Sequence, residues 1–116
     1  MRIISGKHGG RVLKSFKGDA VRSTSDRAKE ALFNIFKDKI FGSKFLDLFC
    51  GSGSVGIEAL SRGAIVTMCD VSKESVALTK ANLALIKEDC VVVNADALSF
   101  LSSVKEKFDF IFIDPQ

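Results

Sequence analysis

Apolar and polar positions change rhythm twice along the chain. Residues 2–5 (Arg-Ile-Ile-Ser) and 11–14 (Arg-Val-Leu-Lys) are short apolar runs around Gly6-Lys7-His8-Gly9-Gly10, the pattern of a hairpin with a glycine-rich turn. Residues 15–23 read as an irregular connector. Thr24 or Ser25 can then cap a helix whose first turn carries Asp26. Ala28, Ala31, Leu32, Ile35, Phe36 and Ile40 follow the i, i+3, i+4 spacing of one buried stripe, and Gly42 is placed to end it.

Beyond residue 44 the rhythm alternates between short apolar runs and helical periods. Residues 45–49, 65–69, 91–93 and 110–113 are nearly continuous apolar strands. The first enters Gly51-Ser-Gly53-Ser-Val-Gly56 and a helix stopped by Gly63; the second closes on Asp70. Ser72 can cap a helix through Leu85 with a broad apolar face (Val76, Leu78, Ala81, Leu83, Leu85), and Leu98, Leu101 and Val104 mark a short one. Strands that are apolar throughout and alternate with helices predict an α/β chain with a parallel sheet covered on both faces.

Length supports one domain, and the apolar fraction of 47% excludes a disordered tail. Residues 1–44 hold eleven basic and four acidic side chains, and residues 45–116 hold six and ten, so a +7 arm precedes a −4 body. Such an arm suits a polyanion, although a plain solvated surface has the same composition. An odd count of three cysteines (Cys50, Cys69, Cys90) points to free thiols, and their spacing to no metal site. Cys50 has no histidine at hand, so it reads as a small buried thiol. His8 reads as solvated, and most of the phenylalanines as core. With no signal h-region and no run of about 18–20 apolar residues, a soluble cytoplasmic domain without membrane contact is expected.

The chemistry concentrates where strands end. Gly51 and Gly53 follow a buried strand and precede a helix, as a tight turn that must let a ligand approach the backbone requires. Asp70 lies nineteen residues past Gly51, where a carboxylate can bind ribose hydroxyls. Nicotinamide or S-adenosylmethionine binding both fit those features. Asp47 inside the first strand, the preceding basic hairpin, and Asp114-Pro115 after the fourth strand favour S-adenosylmethionine. Parallel strands bring Asp47, Asp70, Asp96 and Asp114 to one rim, although singly each could be a turn residue.

The chain resembles the RsmD-type methyltransferases, which methylate the N2 amine of a guanine in small-subunit ribosomal RNA. The resemblance runs through residues 1–7 (Met-Arg-Ile-Ile-Ser-Gly-Lys), 22–34 (Arg-Ser-Thr-Ser-Asp-Arg-Ala-Lys-Glu-Ala-Leu-Phe-Asn), 46–63 (Leu-Asp-Leu-Phe-Cys-Gly-Ser-Gly-Ser-Val-Gly-Ile-Glu-Ala-Leu-Ser-Arg-Gly) and 113–115 (Ile-Asp-Pro). It implies a Rossmann-like S-adenosylmethionine-dependent methyltransferase sheet, with the first four parallel strands in the order 3-2-1-4. Residues 1–23 would form the basic hairpin and connector, and residues 24–116 the N-terminal part of the methyltransferase domain. Asp47, Gly51 and Gly53 would hold the methionine part of the cofactor, Asp70 the ribose, and Asp96 with Ala97 the adenine edge. Asp114 and the Pro115 carbonyl would accept hydrogen bonds from the target amine, aligning it for transfer without a metal. Arg22, Thr24 and Arg27 would lie near the cofactor and RNA entrance, with Arg2, Lys7 and Arg11 as further RNA contacts.

Ribosomal RNA or the small-subunit particle is the implied partner, and the complete protein is expected to be a monomer. The catalytic motif breaks off at Gln116, so a fragment or a truncated product is expected, with the fourth strand at an open edge. These 116 residues alone are not expected to turn over substrate. The alternatives are a non-catalytic remnant, or an amino-methyltransferase acting on DNA adenine or a protein.

Overall fold

The computed structural model describes residues 1–16 and 25–115. Four parallel strands form its sheet: β1 (Lys44–Asp47), β2 (Ile65–Asp70), β3 (Val91–Asn94) and β4 (Phe110–Phe112), in the order β3-β2-β1-β4. The register pairs Asp47 with Met68 of β2 and Phe112 of β4, and Asp70 with Asn94 of β3. The helices are α1 (Asp26–Phe36), α2 (Ser54–Ser61), α3 (Lys73–Leu85) and α4 (Ala97–Ser103). Ser25 caps α1 through Ala28 N–H, and Ser72 caps α3 through Ser75 N–H.

Adjacent residues of β1 face opposite ways. Phe45 joins a core with Phe33 of α1, Val55 and Ile57 of α2, Met68 of β2 and Leu83 of α3. Leu46 joins a second core with Leu48, Cys69 and Phe100 of α4. Both faces are therefore covered as expected, but unequally. Ile111 and Ile113 at the β4 edge are 49% and 62% exposed, as are most of Leu98 and part of Leu101 on α4.

The expected stripe of α1 is buried only in part: Leu32 and Phe36 pack against the larger core and Ile40 lies within it. Ala28, Ala31 and Ile35 are exposed, while Lys29 and Phe33, one turn apart, point inward. What lies opposite decides this: the buried Glu58 carboxylate faces Lys29, and the Arg62 guanidinium stacks 4.8 Å over the Phe33 ring. The helix also ends earlier than its pattern suggests. It yields at Phe36 to a 3-10 turn (Lys37–Ile40), which carries Ile40 into the core out of helical register.

The N-terminal arm folds back on itself with a single antiparallel bridge, Arg2 to Val12. It does not extend into two full strands, because Ile4 and Ser5 donate their N–H groups to Glu58 instead (2.8 and 3.1 Å). Ile3 and Leu13 enter the larger core. At the turn, Lys7 N–H bonds the Ser61 carbonyl at 2.7 Å. The approach is so close that a Cβ at Gly6 (φ 86°) would lie 2.0 Å from that carbonyl oxygen. Among the described residues no helix is long and apolar enough to cross a membrane.

Candidate functional site

Because β1, β2 and β4 are parallel and in register, their carboxyl ends deliver Asp47, Asp70 and Asp114 to one edge of the sheet. β1 stops at Asp47 because the chain then turns: Phe49 N–H bonds Asp47 Oδ1 at 3.2 Å and Cys50 N–H bonds the Cys69 carbonyl at 3.0 Å. Gly53 (φ 89°) follows in a left-handed conformation and leads into α2. Gly51 takes φ 55°, and a Cβ there would meet nothing within 4 Å, so the loop's outer side is open to a ligand.

Asp70 is fixed as a carboxylate ready to accept. Its Oδ2 takes the Gly51 N–H and its Oδ1 the Ser72 N–H, each at 2.9 Å. Its backbone carbonyl is held by Ala95 N–H and Asn94 Nδ2, each at 3.0 Å. Asp47 is different: burial pushes its carboxyl up to about 7, against the pull of the Phe49 N–H and helped by the charges of Asp70 and Asp114. Asp114 itself is exposed. At the start of α2, Ser54 Oγ is buried with no hydrogen-bond partner among the described residues.

These features fit a nucleoside with a cationic tail: an open glycine loop, a prepared carboxylate, a second carboxyl beneath it and an unsatisfied hydroxyl at the helix start. A cavity of about 360 Å³ lined by Leu60, Ile65, Glu88, Cys90 and Val91 lies at the opposite edge, where β2 and β3 begin, away from these groups.

A family model described as conserved hypothetical protein 95 matches residues 1–116. The ribosomal RNA small subunit methyltransferase D of Haemophilus influenzae is 41% identical over 99% of this chain and 63% of its own length. The chain belongs to the RsmD family.

Two solved structures place this RsmD-family chain among known folds. A protein of Thermus thermophilus superposes with a TM-score of 0.90 at 32% identity, over 100% of this chain and 69% of that one. A SAM-dependent methyltransferase from Agrobacterium tumefaciens does so with a TM-score of 0.69 at 25% identity, over 85% of this chain and 34% of that one. The chain spans 59% to 66% of the length of three curated relatives that it matches.

The other sequence-derived positions of this RsmD-family chain are distributed unevenly. Asp96 caps α4, with Oδ2 accepting from Ser99 N–H at 3.2 Å, and Ala97 opens that helix. Pro115 is exposed beside Asp114. Arg2 pairs with Asp26 at 3.0 Å and Lys7 with Glu88 at 3.4 Å, while Arg11 Nη2 caps the Leu85 carbonyl at 2.8 Å. Lys7 and Arg11 therefore sit where α2 and α3 end, across the sheet from Gly51. Arg27 is exposed near the start of α1. Arg22 and Thr24 lie outside the described residues.

Burial pushes the Cys50 thiol up to about 12, so it is no nucleophile near neutral pH. His8 is not solvated as expected; its side chain is 12% exposed and bonds Glu88 at 2.6 Å. Sequence reading passed over Thr79 and Asn82, both fully buried on α3 under the glycine loop. Their signal was present: Ser75, Thr79 and Asn82 are polar at i, i+4, i+7, along one face of a helix.

Proposed function

We propose that this chain carries the S-adenosylmethionine site and the start of the catalytic motif of an enzyme that methylates a guanine N2 amine in small-subunit ribosomal RNA. The observation that carries the reading is the meeting of the open glycine loop with Asp47, Asp70 and Asp114 at one sheet edge. Family membership and the names of the relatives support both donor and substrate class.

In this reading Asp70, already oriented by two backbone N–H groups, accepts from the ribose hydroxyls. Ionised Asp47 accepts from the methionine ammonium, and the backbone at Gly51 and Gly53 lies against the same part of the ligand. Asp96 and Ala97 border the adenine. Bound there, the cofactor supplies a methyl group activated on sulfonium. Asp114 and the Pro115 carbonyl accept the two amine N–H bonds, which turns the nitrogen lone pair out of conjugation and aligns it; the exposed Asp114 carboxylate passes the surplus proton to water. Arg27 is the exposed cation on the α1 side for RNA phosphate.

The test has two arms. Calorimetric titration with S-adenosylmethionine should give saturable one-site binding that Asp70→Ala weakens by roughly ten- to a hundredfold. Labelled methyl transfer by a full-length version of the enzyme to stripped small-subunit RNA, followed by nucleoside digestion, should place the label in N2-methylguanosine. Label in adenine, or transfer to duplex DNA in preference, would overturn the substrate assignment.

A further inference from the structure

Two side chains of α3 have no part in the chemistry above, yet both are fully buried beneath the loop that carries it. Thr79 Oγ1 donates to the Gly51 carbonyl at 2.9 Å, and Asn82 Nδ2 to the Ser52 carbonyl at 3.0 Å. Thr79 also abuts the next turn: its Cγ2 and Oγ1 would lie 3.0 and 3.1 Å from a Cβ at Gly53. From the other side Asp70 holds the Gly51 N–H. The loop is thus gripped between β2 and α3.

Asn82 reaches further. Its Oδ1 accepts from Lys14 N–H at 2.8 Å and its Nδ2 donates to the Lys14 carbonyl at 3.0 Å, the pair of bonds a neighbouring strand would otherwise make. One amide therefore joins the basic arm to the glycine loop.

We propose that Thr79 and Asn82 are positioning residues for cofactor binding, holding the peptide planes of residues 51–53 in the ligand-ready conformation and tying that conformation to the arm through Lys14. A glycine-rich segment loses much conformational freedom when it is ordered, so a loop ordered in advance binds more tightly. The proposal rests on the reading of this loop as the S-adenosylmethionine site.

Thr79→Val keeps the side chain's shape and removes the hydroxyl, whereas Thr79→Ser keeps the hydroxyl. The 116-residue chain and both variants are titrated with S-adenosylmethionine, their ligand-free melting is recorded, and amide exchange is followed at Gly53. The expected result is about tenfold weaker binding for Thr79→Val and binding within about twofold of the parent for Thr79→Ser. Gly53 should exchange faster in Thr79→Val than in Thr79→Ser even without ligand. Asn82→Leu should loosen both Gly53 and Lys14. Equal affinity for parent and Thr79→Val, or a Thr79→Ser as weak as Thr79→Val, overturns the positioning role alone. A parent chain that does not bind S-adenosylmethionine overturns the site assignment and this proposal with it.

Discussion

Lys29 Nζ lies 3.5 Å from Glu58 Oε1, and neither side chain has exposed surface. Lys29 also donates to the Arg2 carbonyl at 2.5 Å, while Glu58 accepts from Ile4 and Ser5 N–H and from Arg62 Nε at 2.9 Å. One buried carboxylate therefore ties together the arm, α1 and α2. Burial pushes the Lys29 amine down, and Glu58 opposes that shift.

The two partners should respond unequally to removal. Glu58→Ala strands a buried cation and two backbone donors and should cost about 3–5 kcal/mol. Lys29→Met leaves Glu58 with three donors and a filled volume, and should cost about 1–2 kcal/mol. Urea unfolding of both variants checks the order; a Lys29→Met as damaging as Glu58→Ala would contradict it.

Gly6 should tolerate no side chain. A Cβ 2.0 Å from the Ser61 carbonyl oxygen, at φ 86°, combines overpacking with backbone strain. Gly6→Ala is expected to cost about 2–4 kcal/mol and to expose residues 1–14 to protease before the rest of the chain.

Asp47 gives a pH dependence of known sign. Its carboxyl is raised from 3.8 to about 7 in the folded chain, so between those limits the native state keeps a proton the unfolded chain has lost. Stability from this group is full below about pH 4 and declines as pH rises toward about 7, by at most about 1.4 kcal/mol per pH unit. Asp47→Asn should flatten that slope in ligand-free chemical unfolding. Affinity for S-adenosylmethionine should move the opposite way and improve as Asp47 ionises. A pH-independent affinity across this window would remove Asp47 from the ammonium site.

Much of this architecture could be read directly along the chain. Phe45 and Leu46 are apolar on both faces of β1 and both are buried, as a central strand requires; Val91-Val92-Val93 also forms a strand, but at the sheet's edge, where Val91 stays 58% exposed. Ser72 marks the start of α3 because capping is a local bond. The burial of Lys29 on α1 could not be read this way. Lys29 is buried only because Glu58, twenty-nine residues on, comes to meet it, and periodicity ranks a lysine as outward. Leu98 and Leu101 fit a helical pattern yet remain exposed, since α4 turns Phe100 and Ala97, not its leucines, to the sheet's core. At the site, the glycines and rim carboxylates were visible as motif. Thr79 and Asn82 act on carbonyls about thirty residues away and carry no motif of their own.

In a preparation of the 116-residue chain the β4 edge should drive self-association. Ile113 is 62% exposed beside a strand paired on one side within the described sheet. Ile113→Lys should lower concentration-dependent light scattering while changing stability by less than about 0.5 kcal/mol.

The docking of the arm also sets an order of events during synthesis. Residues 4–14 leave the ribosome well ahead of their anchors at Glu58, Ser61, Asn82 and Glu88, which lie 53 to 80 positions later. Closing such long loops is slow. A nascent chain that has not yet reached Glu88 holds Ile3 and Leu13 uncovered, so a segment made early must wait for the end of α3 before it finds its place.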